Sequence, residues 1–318
     1  MKGQGPYVDW FGVESAIQQA ARRQAADHPG ASVGQYLDHI RRDRFLSRVF
    51  ADPESGWLLK GGTAMLARVP TGRHTRDVDL STTRATLDEA VEDLAHRVAV
   101  DMGDHLRFQL ESERPGLAVT QPGVLVARLS FACITDTGKR FDNVAVDLAV
   151  GPPPVGHIEH TRPADSPDLP RLISPPYAMF PLTDQLAEKV STMMTPRPDG
   201  RPNSRAKDLV DVDIIAATQY VDLRELRLAL AVQQQRANTD LGRHLRVPPH
   251  WEPRYQSLAT GTSAAAVAPT FADAVDLAAR FINPALDAVR TVRTTWEPEA
   301  MEWTVGTGSP AAGPHRGV

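Results

Sequence analysis

A mixed α/β lobe followed by a helical lobe is the fold that the sequence predicts, and three observations predict it. Between residues 57 and 150, short runs with period-two apolar alternation are interleaved with amphipathic helical stretches. From 151 to 181 the composition breaks, with Pro152 to Pro154, Pro163, Pro167, Pro175, Pro176 and Pro181 making a poor helix or strand. Beyond that break the apolar spacing is helical. The expected organisation is N-terminal helices over residues 1–50, a sheet-bearing domain over 51–165, a helical domain over 166–298 and a disordered tail over 299–318.

Size and composition set the outer bounds. A chain of 318 residues with 42% hydrophobic and 23% charged residues has the make-up of an ordinary globular protein with a real core. The net charge of −4 means that any nucleic-acid contact needs a local basic patch rather than a global field. A single cysteine, Cys133, excludes an internal disulfide; its apolar neighbours mark it as a core thiol, and a reducing cytoplasm suits it. The start, MKGQGPYVDW, lacks a signal-peptide pattern, and no run reaches the length of a membrane span.

In chain order, residues 9 to 26 and 34 to 50 read as two helices. The second has Tyr36, Leu37, Ile40, Phe45, Leu46, Val49 and Phe50 as its apolar side, with Arg41, Arg42, Arg44 and Arg48 around it. Those arginines suit a solvated face or a contact with RNA. Trp57 to Lys60 reads as a short strand, Gly61, Gly62 and Thr63 as a turn, then a brief helix, a polar loop and a second strand carrying Asp77 and Asp79. Thr86 and Glu89 form a capping box for a helix running to Met102. Strands are expected at Leu106 to Glu111, Val124 to Cys133 and Phe141 to Val150, with Thr137-Gly138 as the hairpin turn. After the Pro-rich crossing, helices are expected at about 181–195, 205–220, 222–236, 271–283 and 284–296, with a disordered tail from about Glu297.

The chemistry concentrates in WLLKGGTAMLARVPTGRHTRDVDLS, residues 57 to 81. Carboxylates spaced i, i+2 on a strand point the same way and repel, so a purely structural strand avoids them. A divalent cation removes the penalty, because Mg²⁺ takes oxygen ligands and commonly uses one or two carboxylates plus substrate phosphates. Two glycines let the backbone approach a ligand closely, and the N–H groups opening the following helix favour a phosphate. A P-loop is excluded, since its lysine follows the second glycine and Lys60 precedes the pair. In the last predicted strand Val144, Val146, Leu148 and Val150 share one face and Asp147 lies on the other, either solvated or in a site. Lys189 falls inside the apolar stripe of Leu182, Leu186, Val190 and Met193; it either works there or extends its stem to the surface. In Lys207-Asp208-Leu209-Val210-Asp211, Lys207 and Asp211 lie one helical turn apart, and Ile214 and Ile215 widen the apolar surround.

Gly62-Thr63 followed after 13 residues by Asp-x-Asp-Leu resembles the signature of the DNA polymerase β-like nucleotidyltransferase superfamily. Within it, LKGGTAML and HTRDVDL look like the AbiEii/AbiGii-type toxins of bacterial toxin–antitoxin and phage-defence pairs, the group that includes the mycobacterial MenT toxins. The resemblance covers roughly residues 40 to 220. It implies a polymerase-β-like lobe with a mixed sheet plus a helical C-terminal lobe, the nucleotide lying between them. It implies transfer of a nucleoside monophosphate from an NTP to a hydroxyl, the acceptor being the 3′ end of tRNA. By the resemblance Asp77, Asp79 and Asp147 hold Mg²⁺, and Lys60, Gly61, Gly62, Thr63 and Thr75 attend the nucleotide. Lys189 grips the triphosphate with Lys207 and Asp208 nearby, and Asp211 is an acid needed for activity, as a base or by orienting the lysine. The implied partner is a cognate antitoxin, typically a winged-helix DNA-binding protein.

Two other readings stay open: the same chemistry on a protein or small-molecule hydroxyl, and a catalytically silent nucleotide- or RNA-binding partner. The loop from Pro196 to Arg205, with Arg197, Arg201 and Arg205, suits an RNA backbone or plain solvent. His157-x-x-His160 has no further ligands beside it, which argues against a zinc site.

Overall fold

The computed structural model describes residues 7–27, 32–69, 75, 77–116, 123–164, 166–169, 171–195, 205–287 and 294–305. The chain divides into two compact units, Met1–Pro181 and Leu182–Val318. Among the described residues no helix is long and apolar enough to cross a membrane.

The first unit contains α1 (Trp10–Asp27), α2 (Val33–Val49), β1 (Trp57–Lys60), α3 (Gly61–Arg68), β2 (Val78–Thr82), α4 (Leu87–Val98), β3 (Leu106–Pro115), β4 (Leu125–Thr135), β5 (Arg140–Val150), β6 (Glu159–Thr161) and β7 (Tyr177–Met179). Its seven strands form one mixed sheet in the order β3-β4-β5-β2-β1-β7-β6. β2 runs parallel to β5 and β1 parallel to β7, while the remaining pairs are antiparallel. Alternation decides which face is covered. Val78, Leu80, Leu129, Phe131, Val144, Val146 and Leu148 are buried on one side with Phe45, Leu94 and Trp57, whereas Asp79, Asp147 and Arg128 lie on the other.

The mixed α/β expectation holds, and most element positions do too. The Thr86–Glu89 capping box is formed, with Thr86 Oγ1 accepting from Glu89 N at 3.1 Å and Glu89 accepting from Thr86 N at 3.1 Å. Several details differ. The expected turn at Gly61 to Thr63 is already the first turn of α3, because Gly61 takes a left-handed φ of +64° and reverses the chain in one residue. Asp77 sits one residue ahead of β2 rather than within it. α4 stops at Val98, short of Met102, where Arg48 Nε donates to the Val100 carbonyl at 3.0 Å and anchors the chain as it leaves the helix.

The α2 arginines are neither a solvated face nor an RNA contact. Arg42, Arg44 and Arg48 are buried. Arg44 Nε and Arg48 Nη1 donate to Asp104 Oδ2 at 2.9 Å each, and Arg48 Nη2 reaches Asp104 Oδ1 at 2.5 Å. Burial pushes the Asp104 carboxyl up, but the bonds and charges of Arg48 and Arg44 outweigh it and hold the group below the usual carboxylate range. The Pro-rich stretch also contributes strands, which its composition hid. Tyr177 to Met179 joins the sheet beside β1, fixed by Tyr177 Oη donating to Asp43 Oδ1 at 2.7 Å. Cys133 is a core thiol as expected, and burial pushes it up to about 12. His157 and His160 are exposed.

The second unit contains α5 (Leu182–Met194), α6 (Ala206–Thr218), β8 (Val221–Asp222), α7 (Leu223–Ala237), a 3-10 turn (Pro249–Trp251), α8 (Glu252–Ala259), α9 (Ser263–Val267), α10 (Phe271–Leu286), β9 (Thr294–Glu297) and β10 (Glu302–Val305). Asp222 caps α7, its Oδ1 accepting from Arg224 N and Glu225 N at 2.8 and 3.2 Å. The two expected helices at 271–283 and 284–296 are instead one helix and a strand. α10 carries Pro284 inside it, which cannot donate to the Arg280 carbonyl. That carbonyl accepts from Trp303 Nε1 at 3.2 Å instead. The supposed tail from Glu297 is therefore ordered through Val305: β10 pairs with β9, β9 pairs with β8, and Phe281, Trp296 and Trp303 cluster with ring centroids 4.7 to 5.8 Å apart. Residues 306–318 and the loop arginines Arg197 and Arg201 lie outside the described residues.

Candidate active site

In the first unit the site is set by strand register. Asp79 on β2 and Asp147 on β5 are direct partners across a parallel pair, above the buried Val78–Val146 and Leu80–Leu148 rows. The row continues on both sides, with Lys60 of β1 opposite Asp79, Arg128 of β4 opposite Asp147, and Arg114 of β3 opposite Arg128. Five charged side chains thus share one line across five strands: two cations, two carboxylates, one cation. Carboxylates directly opposite each other repel. Asp77, two residues before Asp79, adds a third.

The glycine turn closes tightly on this row. Gly62 N donates to Asp79 Oδ2 at 3.2 Å, and Thr63 Oγ1 donates to the Asp77 carbonyl at 2.8 Å. A Cβ on Gly61 would stand 2.1 Å from Asp79 Oδ2, and one on Gly62 would stand 3.0 Å from Thr75 Oγ1. The N-terminus of α3 is therefore pressed against the carboxylates, with Thr75 over its second residue. The Lys60 ammonium lies 4.7 Å from the Phe180 ring centroid, within cation–π range.

Arg128 is the residue that reading the sequence missed. Its guanidinium donates to Asp77 Oδ1 at 2.7 Å and approaches Asp147 Oδ1 at 3.8 Å, while remaining half-exposed. The alternation around Leu129 could have placed Arg128 on the polar face, but only the β4–β5 register puts it beside Asp147. Among the described residues no three carboxylate, imidazole or thiolate groups are arranged to hold a metal ion, and the guanidinium lies against two of the carboxylates. The donor set itself suits Mg²⁺. It consists of hard carboxylate oxygens from adjacent strands beside a backbone cradle that a single Cβ would fill.

In the second unit α5 and α6 bring together the other expected residues. Lys189 Nζ lies 2.6 Å from Asp211 Oδ2 and 3.2 Å from Asp208 Oδ1; its side chain is 10% exposed and that of Asp211 is 1% exposed. Arg205 Nη1 adds a 3.5 Å contact to Asp208 Oδ2. The lysine does not reach the surface. Lys207 is exposed. Two residues past Asp211, Asp213 is buried and accepts from Tyr255 Oη at 2.9 Å; burial pushes its carboxyl well above the usual range. A buried carboxyl with a phenol for a partner gave no signal in the sequence, because Tyr255 lies 42 residues downstream.

Chemically, the first unit offers clustered anionic oxygens next to amide donors, and the second offers a buried amine held by two acids. Two solved structures match the chain distantly. A crystal structure of a candidate nucleotidyltransferase from H. pylori matches with a TM-score of 0.44 at 12% identity, covering 82% of this chain and 99% of that one. The structure of JHP933 from Helicobacter pylori matches with a TM-score of 0.42 at 12% identity, covering 81% of this chain and 95% of that one. No curated protein matches the sequence. The family of nucleotidyl transferase AbiEii toxins, of type IV toxin–antitoxin systems, matches over residues 44–277. That span takes in the carboxylate row, the glycine turn and the Lys189–Asp211 pair alike, and the chain belongs to this AbiEii toxin family of nucleotidyltransferases.

Proposed function

We propose that this protein transfers a nucleoside monophosphate from an NTP to the 3′ hydroxyl of an RNA, with the tRNA 3′ end as acceptor and Mg²⁺ as cofactor. The observation that carries the proposal is the direct pairing of Asp79 with Asp147 across β2 and β5, beside the glycine cradle. Two carboxylates in register, with a third two residues away, carry more negative charge than the one guanidinium of Arg128 beside them offsets, and a divalent cation would balance the rest.

Asp77, Asp79 and Asp147 would hold the magnesium, with Arg128 giving way. Bound there, the metal would lower the charge of the triphosphate and stabilise the oxygens entering and leaving phosphorus. The amides at the start of α3 would seat the phosphate tail, that of Gly62 once it leaves Asp79 Oδ2, with Thr63, Thr75 and Lys60 beside them. The acceptor oxygen attacks the α-phosphorus, the bond to the β-phosphate oxygen breaks, and pyrophosphate leaves. The hydroxyl proton passes to a carboxylate on the acceptor side, for which Asp147 is the candidate. Lys189 is the proposed contact for phosphate charge, and Asp211 and Asp208 accept from its ammonium and would hold it in one orientation. Lys207, exposed on the same helix as Asp211, is a further candidate contact for the nucleotide. The cytoplasm is where such a reaction would meet its RNA, and an antitoxin, a DNA-binding winged-helix protein in pairs of this kind, would restrain it.

The test is incubation of the purified protein with each labelled NTP, Mg²⁺ and total RNA, against protein alone and against Asp79→Ala. Label on tRNA that needs Asp79 and is lost in EDTA is the expected result. Label on protein with RNA absent would move the acceptor to a protein hydroxyl. No label anywhere, with the toxic effect of expression unchanged in Asp79→Ala, would refute the enzymatic reading.

A further inference from the structure

We propose that Arg128 and Arg114 form the seat for the phosphodiester backbone of the acceptor strand, next to its attacking 3′ end. The proposal rests on the nucleotidyl-transfer reading above and adds which residues of this chain hold the acceptor. In-line displacement at phosphorus puts the entering and leaving oxygens on opposite sides. The phosphate cradle lies on the β1 side of the carboxylates, where α3 begins immediately after Lys60. The acceptor must then enter from the other side, across Asp147, and the next two residues in that row are Arg128 and Arg114.

The arrangement of these two arginines points to a shared anion. They are direct partners on antiparallel β3 and β4, a placement in which like charges repel. Both are exposed, so neither is held there by the core. A guanidinium binds phosphate oxygens through paired N–H donors, and successive phosphates of one strand supply adjacent anionic groups. A peptide acceptor without acidic side chains gains nothing from that pair of charges. β3 is also the edge of the sheet, which leaves the row open on its far side to a long chain.

Arg128 has a second relationship that couples the acceptor to the metal. Its guanidinium engages Asp77 and Asp147, the same oxygens that magnesium would need. A cation on those carboxylates competes with Arg128 and frees it for phosphate. Metal and acceptor should therefore favour each other through this one side chain.

The experiment uses the full chain with a 5′-labelled 12-nucleotide single-stranded RNA ending in a 3′ hydroxyl, read by fluorescence anisotropy with Mg²⁺ and no NTP. Binding of the four NTPs with Mg²⁺ is measured in parallel by calorimetry. Arg114→Ala and Arg128→Ala should each weaken RNA binding about tenfold and reduce the slope of log affinity against log salt by about 0.7. NTP affinity should stay within about twofold, and Arg128→Lys should recover part of the RNA affinity. Manganese binding, followed by electron paramagnetic resonance, should tighten about threefold in Arg128→Ala, as expected for loss of an exposed competing ion pair. RNA affinity and salt slope unchanged in both alanine variants would overturn the proposal. So would loss of NTP binding in Arg128→Ala, which would place that residue on the nucleotide. A wild type that binds NTP but labels a protein hydroxyl and not RNA overturns it as well. A wild type that binds no NTP with Mg²⁺ instead overturns the reading of the site on which the proposal stands.

Discussion

Gly61→Ala gives the most direct test of how closely the backbone approaches the carboxylates. At this position φ is +64°, a conformation that costs an alanine roughly 1–2 kcal/mol. The added Cβ would also stand 2.1 Å from Asp79 Oδ2, 2.4 Å from its Cγ and 2.8 Å from its Cβ. A rotamer change cannot relieve all three contacts, since the Cβ of Asp79 is fixed by the strand. Either β2 or the first turn of α3 must shift, which adds overpacking strain of about 1–3 kcal/mol. Gly138, with φ +86° and no atom within 4 Å of an added Cβ, isolates the conformational part. Gly138→Ala should cost only about 1 kcal/mol, and the excess for Gly61→Ala measures the steric part. Thermal unfolding by circular dichroism should show Tm falling by about 5–10 °C for Gly61→Ala, given about 2–4 °C per kcal/mol at this size. Transfer activity should fall at least 100-fold, because a displacement near 1 Å is costly at a reacting centre. If Gly61→Ala is as stable as Gly138→Ala and fully active, the tight cradle does not exist and the reasoning fails.

The other expectations concern buried charges. Lys189→Met should destabilise by about 3 kcal/mol, since it leaves Asp211 and Asp208 buried beside no amine. The double variant Lys189→Met/Asp211→Asn should regain part of that stability in urea titrations while transfer stays lost; regained transfer would mean that the pair is only structural. Asp104→Asn should cost about 3 kcal/mol by stranding Arg44 and Arg48. The folded carboxyl of Asp104 lies below its unfolded value, so its contribution is complete above about pH 4 and is lost as pH falls further. A urea midpoint that does not drop in acid more for wild type than for Asp104→Asn would contradict this. Asp213 works in the opposite sense. Its folded carboxyl is raised, so it lowers stability as pH climbs past the unfolded value near 4. Asp213→Asn keeps an oxygen to accept from Tyr255 and should flatten that slope, leaving the variant at least as stable as wild type at pH 8.

Much of the sheet and of the site's residue types was readable from the sequence, because both depend on local spacing. Alternation placed Val144, Val146 and Leu148 opposite Asp147, and all three are buried. Helical spacing put Lys189 in an apolar stripe, where it is indeed buried. What escaped depended on partners far along the chain. The α2 arginines read as a polar surface because Asp104, about 60 residues away, carried no sign of them. Arg128 became notable only once β4 was in register with β5. Pro284 signalled a helix end, yet an indole N–H from Trp303 satisfies the carbonyl that the proline leaves open. Proline density likewise concealed β7, whose parallel pairing with β1 follows from neighbours that composition does not show.

The C-terminal hairpin has a consequence for how the chain can be handled. Trp296 Nε1 donates to the Ala216 carbonyl of α6 at 2.7 Å, a bond that spans 80 residues and is buried at both ends. Ala216 is five residues past Asp211 on the same helix. A product cut anywhere before Thr294 would leave that oxygen sealed from water without a donor and strip Phe281 of both indoles. Val305, rather than the end of α10, is therefore the earliest point at which the gene could be shortened with these contacts kept.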